Sequence, residues 1–247
     1  MADLVVIVPS RGRPEAARSL ADAFQQTCTA DTELVFAVDD DDETLERYSE
    51  LAATPVGPGV TLARLFPRVS VCVVDNPTNM VRALNGAATF AARFVYPAPF
   101  AIGFMGDDHL PRTYGWDTAY LTALRDLGTG IVYGDDLLQR RRLPTQCAMT
   151  ADIVQALGYM APPALTHLYV DNFWLSIGEQ AQCIRYLPDV VVEHRHPVAG
   201  KAQWDEGYKR VNDGSMYAKD SAAFAEYCHT TLAEDVAKVQ ALRGAHV

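Results

Sequence analysis

The stretch Leu4-Val5-Val6-Ile7-Val8-Pro9-Ser10-Arg11-Gly12-Arg13-Pro14 decides the fold class. Its five leading residues are all apolar, with no polar alternation. Such a run suits a strand covered on both faces, as in a parallel sheet. Pro9, Gly12 and Pro14 then break the strand. A helix is expected over 15–26, with Ala16, Leu20 and Phe24 at helical spacing.

The same rhythm repeats along the chain. A strand at 34–38 closes on Asp39-Asp40-Asp41-Asp42 and precedes a helix at 43–53; 54–59 is a Pro/Gly loop. A strand at 69–74 ends in Asp75-Asn76-Pro77, before a helix at 79–94. A strand at 100–105 runs into Gly106-Asp107-Asp108-His109, and a helix at 114–127 stops at Gly128. A short strand at 131–133 leads to Asp135-Asp136. Alternating strands and helices argue for right-handed βαβ units, and so for an α/β fold with a mainly parallel central sheet flanked by helices.

Beyond residue 133 the rhythm changes. A short strand is expected at 146–149, helices at 151–157 and 171–182, and a long strand at 184–192. The tail is helical from about 205, most clearly at 221–227 and 232–242. With no linker in sight, the expectation is one domain of two lobes, 1–133 and 134–204, with a C-terminal helical extension at 205–247.

The 247 residues are 49% hydrophobic and 21% charged, enough for a sizeable core, and the net charge is −10. Bulk attraction to a polyanion needs clustered Lys and Arg. The one basic cluster, Arg140-Arg141-Arg142, reads as a solvated turn. Cys28, Cys72, Cys147, Cys183 and Cys228 are scattered without a C-x-x-C pair, so neither a zinc knuckle nor a disulfide framework is expected. No apolar stretch reaches the roughly 18 residues that span a bilayer, and no cationic leader precedes Leu4. A soluble, cytoplasmic protein is the expectation.

In an open parallel sheet, ligands sit beyond the carboxyl ends of the strands. Here those ends carry Ser10 and Arg11, the Asp39 run, Asp75, the Asp107 run and Asp135-Asp136. Carboxylates gathered on one edge repel each other, and a hard divalent cation, Mn²⁺ or Mg²⁺, resolves the conflict while holding phosphate oxygens. Asp107 and Asp108, at the end of a buried strand behind Gly106, are the leading ligands, with His109 a further one.

At this point the sequence resembles the family 2 glycosyltransferases of the GT-A fold. The likeness rests on Val6-Ile7-Val8-Pro9-Ser10-Arg11, on Phe36-Ala37-Val38-Asp39-Asp40, and on Gly106-Asp107-Asp108-His109 at the place of the family's Asp-rich metal motif. Downstream it continues through Thr150 to Tyr159, Tyr169-Val170-Asp171-Asn172-Phe173-Trp174, and the strand Tyr186 to Glu193 that ends in His194. The run at 106–109 departs from Asp-x-Asp, and Val170 stands where an acidic residue precedes the family's base.

The resemblance implies a single GT-A (Rossmann-like) domain and a nucleotide-diphosphate sugar donor. Pro9, Ser10, Arg11, Asp39, Asp75, Arg82, Asp107 and Lys201 are then the donor-binding candidates. Asp107, Asp108, His109 and His194 are the metal candidates, with His196 competing for the last place. Asp171 becomes the base of an inverting transfer. The acceptor stays open among a polysaccharide, a protein and a modified DNA base. A narrower alternative is a phage-type enzyme acting on DNA bases or virion protein. A nucleotidyltransferase fits less well, because only Gly12 and no close Lys follow the first strand. A non-catalytic nucleotide-sugar-binding protein is the remaining alternative.

Overall fold

The apolar run at 4–8 lies in β1 (Leu4–Pro9), which pairs in parallel with β2 (Thr32–Asp39) on one side and β4 (Ala101–Phe104) on the other. The computed structural model describes residues 2–52, 68–74, 79–201, 204, 206–211 and 213–244. Beyond β2 lies β3 (Arg68–Val74). Past β4 come β7 (Cys147–Thr150), β6 (Ile131–Asp135), β8 (Ile184–His194) and β5 (His109–Pro111), giving the order β3-β2-β1-β4-β7-β6-β8-β5. Only β7 and β5 oppose the other strands. One mostly parallel sheet therefore crosses residue 133 without interruption.

Two elements depart from the expected pattern. The short strand near 146–149 is β7, and it runs antiparallel between β4 and β6. The three-residue β5 was not expected, and it pairs His109 with His194 across an antiparallel ladder. Three residues are too few to display an alternation, so this strand leaves no periodic signal.

Alternate residues of β1 feed opposite cores, as side chains of a strand must. Leu4, Val6 and Val8 pack against α1 (Pro14–Thr27), α2 (Leu45–Ala52) and α4 (Trp116–Leu127) through Leu20, Phe24, Tyr48, Trp116 and Leu124. Val5 and Ile7 face α3 (Met80–Phe94), α5 (Ala151–Leu157), α6 (Val170–Gln180) and the tail helix α9 (Leu232–Gly244). The result is three layers, α/β/α. Pro14 opens α1 at a position where its missing N–H is harmless.

The tail contributes α7 (Glu206–Val211), α8 (Gly214–Thr230) and α9. It is helical as expected, with α8 longer than the expected 221–227. No helix among the described residues is long and apolar enough to cross a membrane.

The helix α6 is anchored by Trp174, which is fully buried, donates its Nε1–H to Met160 O at 2.8 Å, and packs on Phe104 with ring centroids 5.0 Å apart. Truncating such a side chain costs about 3–5 kcal/mol. The anchor matters because Phe104 ends β4 and α6 carries Asp171, so one contact ties two walls of the same crevice together.

Candidate functional site

The strand order reverses around β1, and the crevice this opens at the carboxyl ends of β1 and β4 is where an open α/β sheet takes its ligand. A cavity of about 720 Å³ lies there, a size typical of small-molecule sites. Pro9, Ser10, Arg11 and Arg13 line one side with Asp39. Arg11 Nη1 stands 2.7 Å from Asp39 Oδ2 and 2.5 Å from Asp41 Oδ1, so β1 and β2 end in a joined ion pair. The amino end of α3, through Asn79, Met80 and Ala83, lines the same cavity.

The turn after β4 places two neighbouring aspartates in opposite surroundings. Asp107 accepts from Ser10 Oγ at 2.6 Å and faces Arg13 Nη1 at 3.1 Å. Burial and the adjacent Asp108 charge push its carboxyl up to about 6, against the pull of Arg13. Asp108 meets two imidazoles instead. His109 Nδ1 lies 3.3 Å from Oδ1, and His194 Nε2 lies 3.3 Å from Oδ2, which also accepts from Tyr208 at 2.7 Å. Burial works against its charge, yet the imidazoles outweigh burial and hold the carboxyl well below the usual range.

Gly106 makes this turn possible. A Cβ there would sit 2.7 Å from Asp108 Oδ1 and 3.1 Å from His109 Nδ1. The His109 and His194 rings stack with centroids 4.2 Å apart. Burial lowers the His109 pKa, assisted by the nearby His194. Burial also opposes charge on His194, but Asp108 and Asp136 prevail and raise it.

Asp108, His109 and His194 offer ligand atoms that all lie within 4.8 Å of one another, the candidate metal site among the described residues. One carboxylate and two imidazoles form a donor set that suits Mn²⁺ better than Mg²⁺, which prefers oxygen. Fit is supported by His194 Nδ1, which is buried without a hydrogen-bond partner. A ligating histidine uses its other nitrogen toward a carboxylate, and Asp136 stands 3.9 Å from that atom.

Across the cavity, Asp171 lies in the first turn of α6, whose N-cap is Tyr169 rather than Asp171 itself. Its Oδ1 accepts from Asn172 N at 2.9 Å. Burial raises its pKa above the ordinary aspartate value, against the pull of the Asn172 N–H and His194. The loop that feeds it, Thr166 to Tyr169, lines the cavity and is pinned by buried Asp220 of α8. Asp220 accepts from Thr166 N, His167 N and Leu168 N at 3.0, 2.8 and 2.8 Å.

Of the residues singled out in the sequence, Pro9, Ser10, Arg11, Asp39, Asp107, Asp108, His109, Asp171 and His194 line this one cavity. Arg82 is exposed on α3, away from the lining, and its N–H is capped by Asn79. Lys201 pairs with Glu193 at 2.8 Å and does not line it either. Asp75 and the 54–59 loop lie outside the described residues.

Sequence reasoning missed Arg13, Tyr208 and Asp220, and it placed Asp136 among the strand-end carboxylates without giving it a role. Arg13 belongs to the opening Pro9–Pro14 stretch, so its place two residues past Arg11 was a usable signal. Tyr208 reaches Asp108 from 100 positions away and lays its ring 3.9 Å from the Arg13 guanidinium, which no local pattern announces.

No family model matches the chain, and no curated protein matches it in sequence. Solved structures do match in shape. The mannosyltransferase PcManGT from Pyrobaculum calidifontis, in complex with GDP-Man and Mn²⁺, superposes with a TM-score of 0.58 at 15% identity, over 98% of this chain and 74% of that one. Residues 1–349 of TarS from S. aureus, in complex with UDP, give 0.54 at 13% identity. That match covers 78% of this chain and 59% of TarS 1–349, so this chain spans less than two thirds of that neighbour. A mycobacterial protein gives 0.52 at 13% identity, over 92% of this chain and 74% of that one. At such identities the likeness concerns architecture, and by architecture this chain has a GT-A-like fold, shared with PcManGT and TarS.

Proposed function

We propose that this protein is a cation-dependent, inverting glycosyltransferase that moves a sugar from a nucleoside-diphosphate donor to an acceptor hydroxyl or amine. The observation that carries the reading is the pairing in one cavity of the Asp108-His109-His194 set with half-buried Asp171. UDP and GDP-Man in two neighbours of the same fold support a nucleotide donor. Residues 1–133 would form the donor lobe and 134–204 the acceptor lobe.

Arg11 and Asp39 hold the nucleotide at the ends of β1 and β2, with Pro9 and Ser10 as the floor. Asp75, Arg82 and Lys201 remain secondary donor candidates. Asp107, read from the sequence as a leading cation ligand, lies outside the Asp108-His109-His194 group and, held by Ser10 and Arg13, orders this floor instead. Asp108, His109 and His194 would hold Mn²⁺ or Mg²⁺, which would supply positive charge for the leaving diphosphate. Asp171 accepts the acceptor's proton as the nucleophile bonds to the anomeric carbon and the bond from that carbon to the diphosphate oxygen breaks. Its raised pKa suits a base better than a fully solvated aspartate would.

Among a polysaccharide, a protein and a modified DNA base, one observation favours an acceptor with negative charge. Arg140, Arg141 and Arg142 form an exposed 3₁₀ turn flanked by Leu138, Gln139 and Leu143, which line the cavity.

The test is a thermal-shift series with UDP, GDP, ADP and CDP, each with and without Mn²⁺. A ligand at a hundred times its Kd stabilises by about 2.7 kcal/mol. Stabilisation by one nucleotide only when Mn²⁺ is present supports the reading. Indifference to every nucleotide with Mn²⁺ overturns it.

A further inference from the structure

We propose that Asp136 is a positioning residue that sets the tautomers of both candidate cation-binding histidines. The inference rests on reading Asp108, His109 and His194 as cation ligands. Asp136 follows β6 and is 1% exposed. Its Oδ1 accepts three backbone N–H groups, from Leu138, Gln139 and Arg140, at 2.9, 2.7 and 2.7 Å. The other oxygen, Oδ2, accepts from Thr145 Oγ1 at 2.8 Å. These bonds hold a turn in which Leu137 and Arg140 have φ of 59° and 55°, a conformation that costs non-glycine residues about 1 kcal/mol or more each. The carboxylate is thus fixed in place, with one oxygen directed at the histidine pair.

From Asp136 two routes lead to the imidazoles. The first runs through Thr145. Having given its proton to Asp136, the Thr145 hydroxyl can only accept, and His109 Nε2 lies 3.5 Å from it. Gly106 N donates to His109 Nδ1 at 3.0 Å. Both contacts require the same tautomer, with the proton on Nε2 and a lone pair on Nδ1. That Nδ1 lone pair, 3.3 Å from Asp108 Oδ1, is the one a cation shared with Asp108 would take in place of the Gly106 N–H.

The second route is direct. His194 Nδ1 has no hydrogen-bond partner and lies 3.9 Å from Asp136 Oδ2. A closure of about 1 Å would make a charge-assisted hydrogen bond. Nδ1 would then carry the proton, leaving the Nε2 lone pair toward Asp108. One buried carboxylate therefore stands behind both stacked rings and turns one nitrogen of each toward the same point. A carboxylate that fixes the far nitrogen of a metal-ligating histidine is worth about 10–100-fold in metal affinity.

The experiment is calorimetric titration of Mn²⁺ into the purified full chain without nucleotide, for wild type and Asp136→Asn. Asparagine keeps an acceptor for the turn but presents an NH₂ donor where Thr145 and His194 need an acceptor. Binding about 10–100-fold weaker is the expected result, in a variant that still unfolds cooperatively at a somewhat lower temperature because the Thr145 hydroxyl loses its acceptor. A second measurement needs no variant. In ¹⁵N-histidine NMR spectra of the wild type with Zn²⁺, His109 is expected as the Nε2–H tautomer and His194 as the Nδ1–H tautomer. Wild-type affinity in Asp136→Asn, or the opposite tautomers, overturns the inference and leaves the cation site standing. Absence of Mn²⁺ binding by the wild type overturns the cation reading and this inference with it.

Discussion

Arg13 holds Asp107: Nη1 of the arginine stands 3.1 Å from Oδ1 of the carboxylate, and the pair lies mostly out of solvent. Asp108, the next residue, has no arginine and faces two histidines instead. Adjacent carboxylates thus have pKa values displaced in opposite directions, the usual mark of a site with divided roles.

Asp107 makes the fold pH-sensitive. Its folded pKa of about 6 lies above the ordinary 3.8, so the folded chain binds the proton more tightly than the unfolded chain does. Stability attached to this group is therefore full below about pH 4 and is lost as pH rises toward 6. The loss is of order 3 kcal/mol at 1.36 kcal/mol per pKa unit. Asp107→Asn removes the titration. The melting-temperature difference, variant minus wild type, should be more positive at pH 7.5 than at pH 4.5. A difference independent of pH would count against the assignment.

Gly106→Ala should damage the cation site more than the fold. The added methyl group meets Asp108 Oδ1 at 2.7 Å, and overpacking of this kind costs about 1–3 kcal/mol. Calorimetry should show Mn²⁺ binding at least tenfold weaker, because Asp108 and His109 must both shift.

Asp171→Asn should lower kcat about 10²- to 10⁴-fold and leave the Kd for nucleoside diphosphate unchanged. Since the carboxylate form is the base, wild-type turnover should fall as pH drops. The acid limb should lie above the range of a solvent-exposed aspartate, in keeping with the raised pKa. Steady-state rates from pH 4 to 8, with isothermal binding alongside, check both statements.

Asp220→Ala strands three part-buried N–H groups of the 166–168 loop, each costing at most about 1–3 kcal/mol. A lower melting temperature and a raised acceptor KM are expected, because the loop runs directly into α6. Asp220→Asn, which keeps one acceptor oxygen, should recover part of both.

Replacing Arg140, Arg141 and Arg142 together by Gln should raise the KM of a charged acceptor several-fold and leave the donor Kd unchanged. The effect should shrink in high salt, since exposed charges are screened over about 10 Å at 0.1 M. Competition assays at low and high ionic strength measure it.

Much of the architecture was legible because parallel strands buried on both faces write themselves as unbroken apolar runs. Leu4 to Val8 could hardly be anything else, and Asp39, Asp107 and Asp108, each after such a run, marked the edge that became the cavity wall. The likeness of Pro9-Ser10-Arg11 and of the 106–109 run to known motifs carried the site further. The three-residue β5 and the reversal of β7 left no comparable trace, since pairing direction depends on partners distant in sequence.

Local pattern therefore determined the α/β class, the order of the main elements and the carboxylates at the strand ends. Only the folded chain decided what each carboxylate does. Asp107 and Asp108 are adjacent and chemically identical, yet one turns to Ser10 and Arg13 and the other to His194 and Tyr208, groups 86 to 100 positions away. Asp136 was visible as a strand-end carboxylate, but its role was not, because it lies in three backbone amides, a threonine and a histidine 58 residues downstream. Burial and charge are properties of the surroundings, and the surroundings of a buried carboxylate are assembled by tertiary structure.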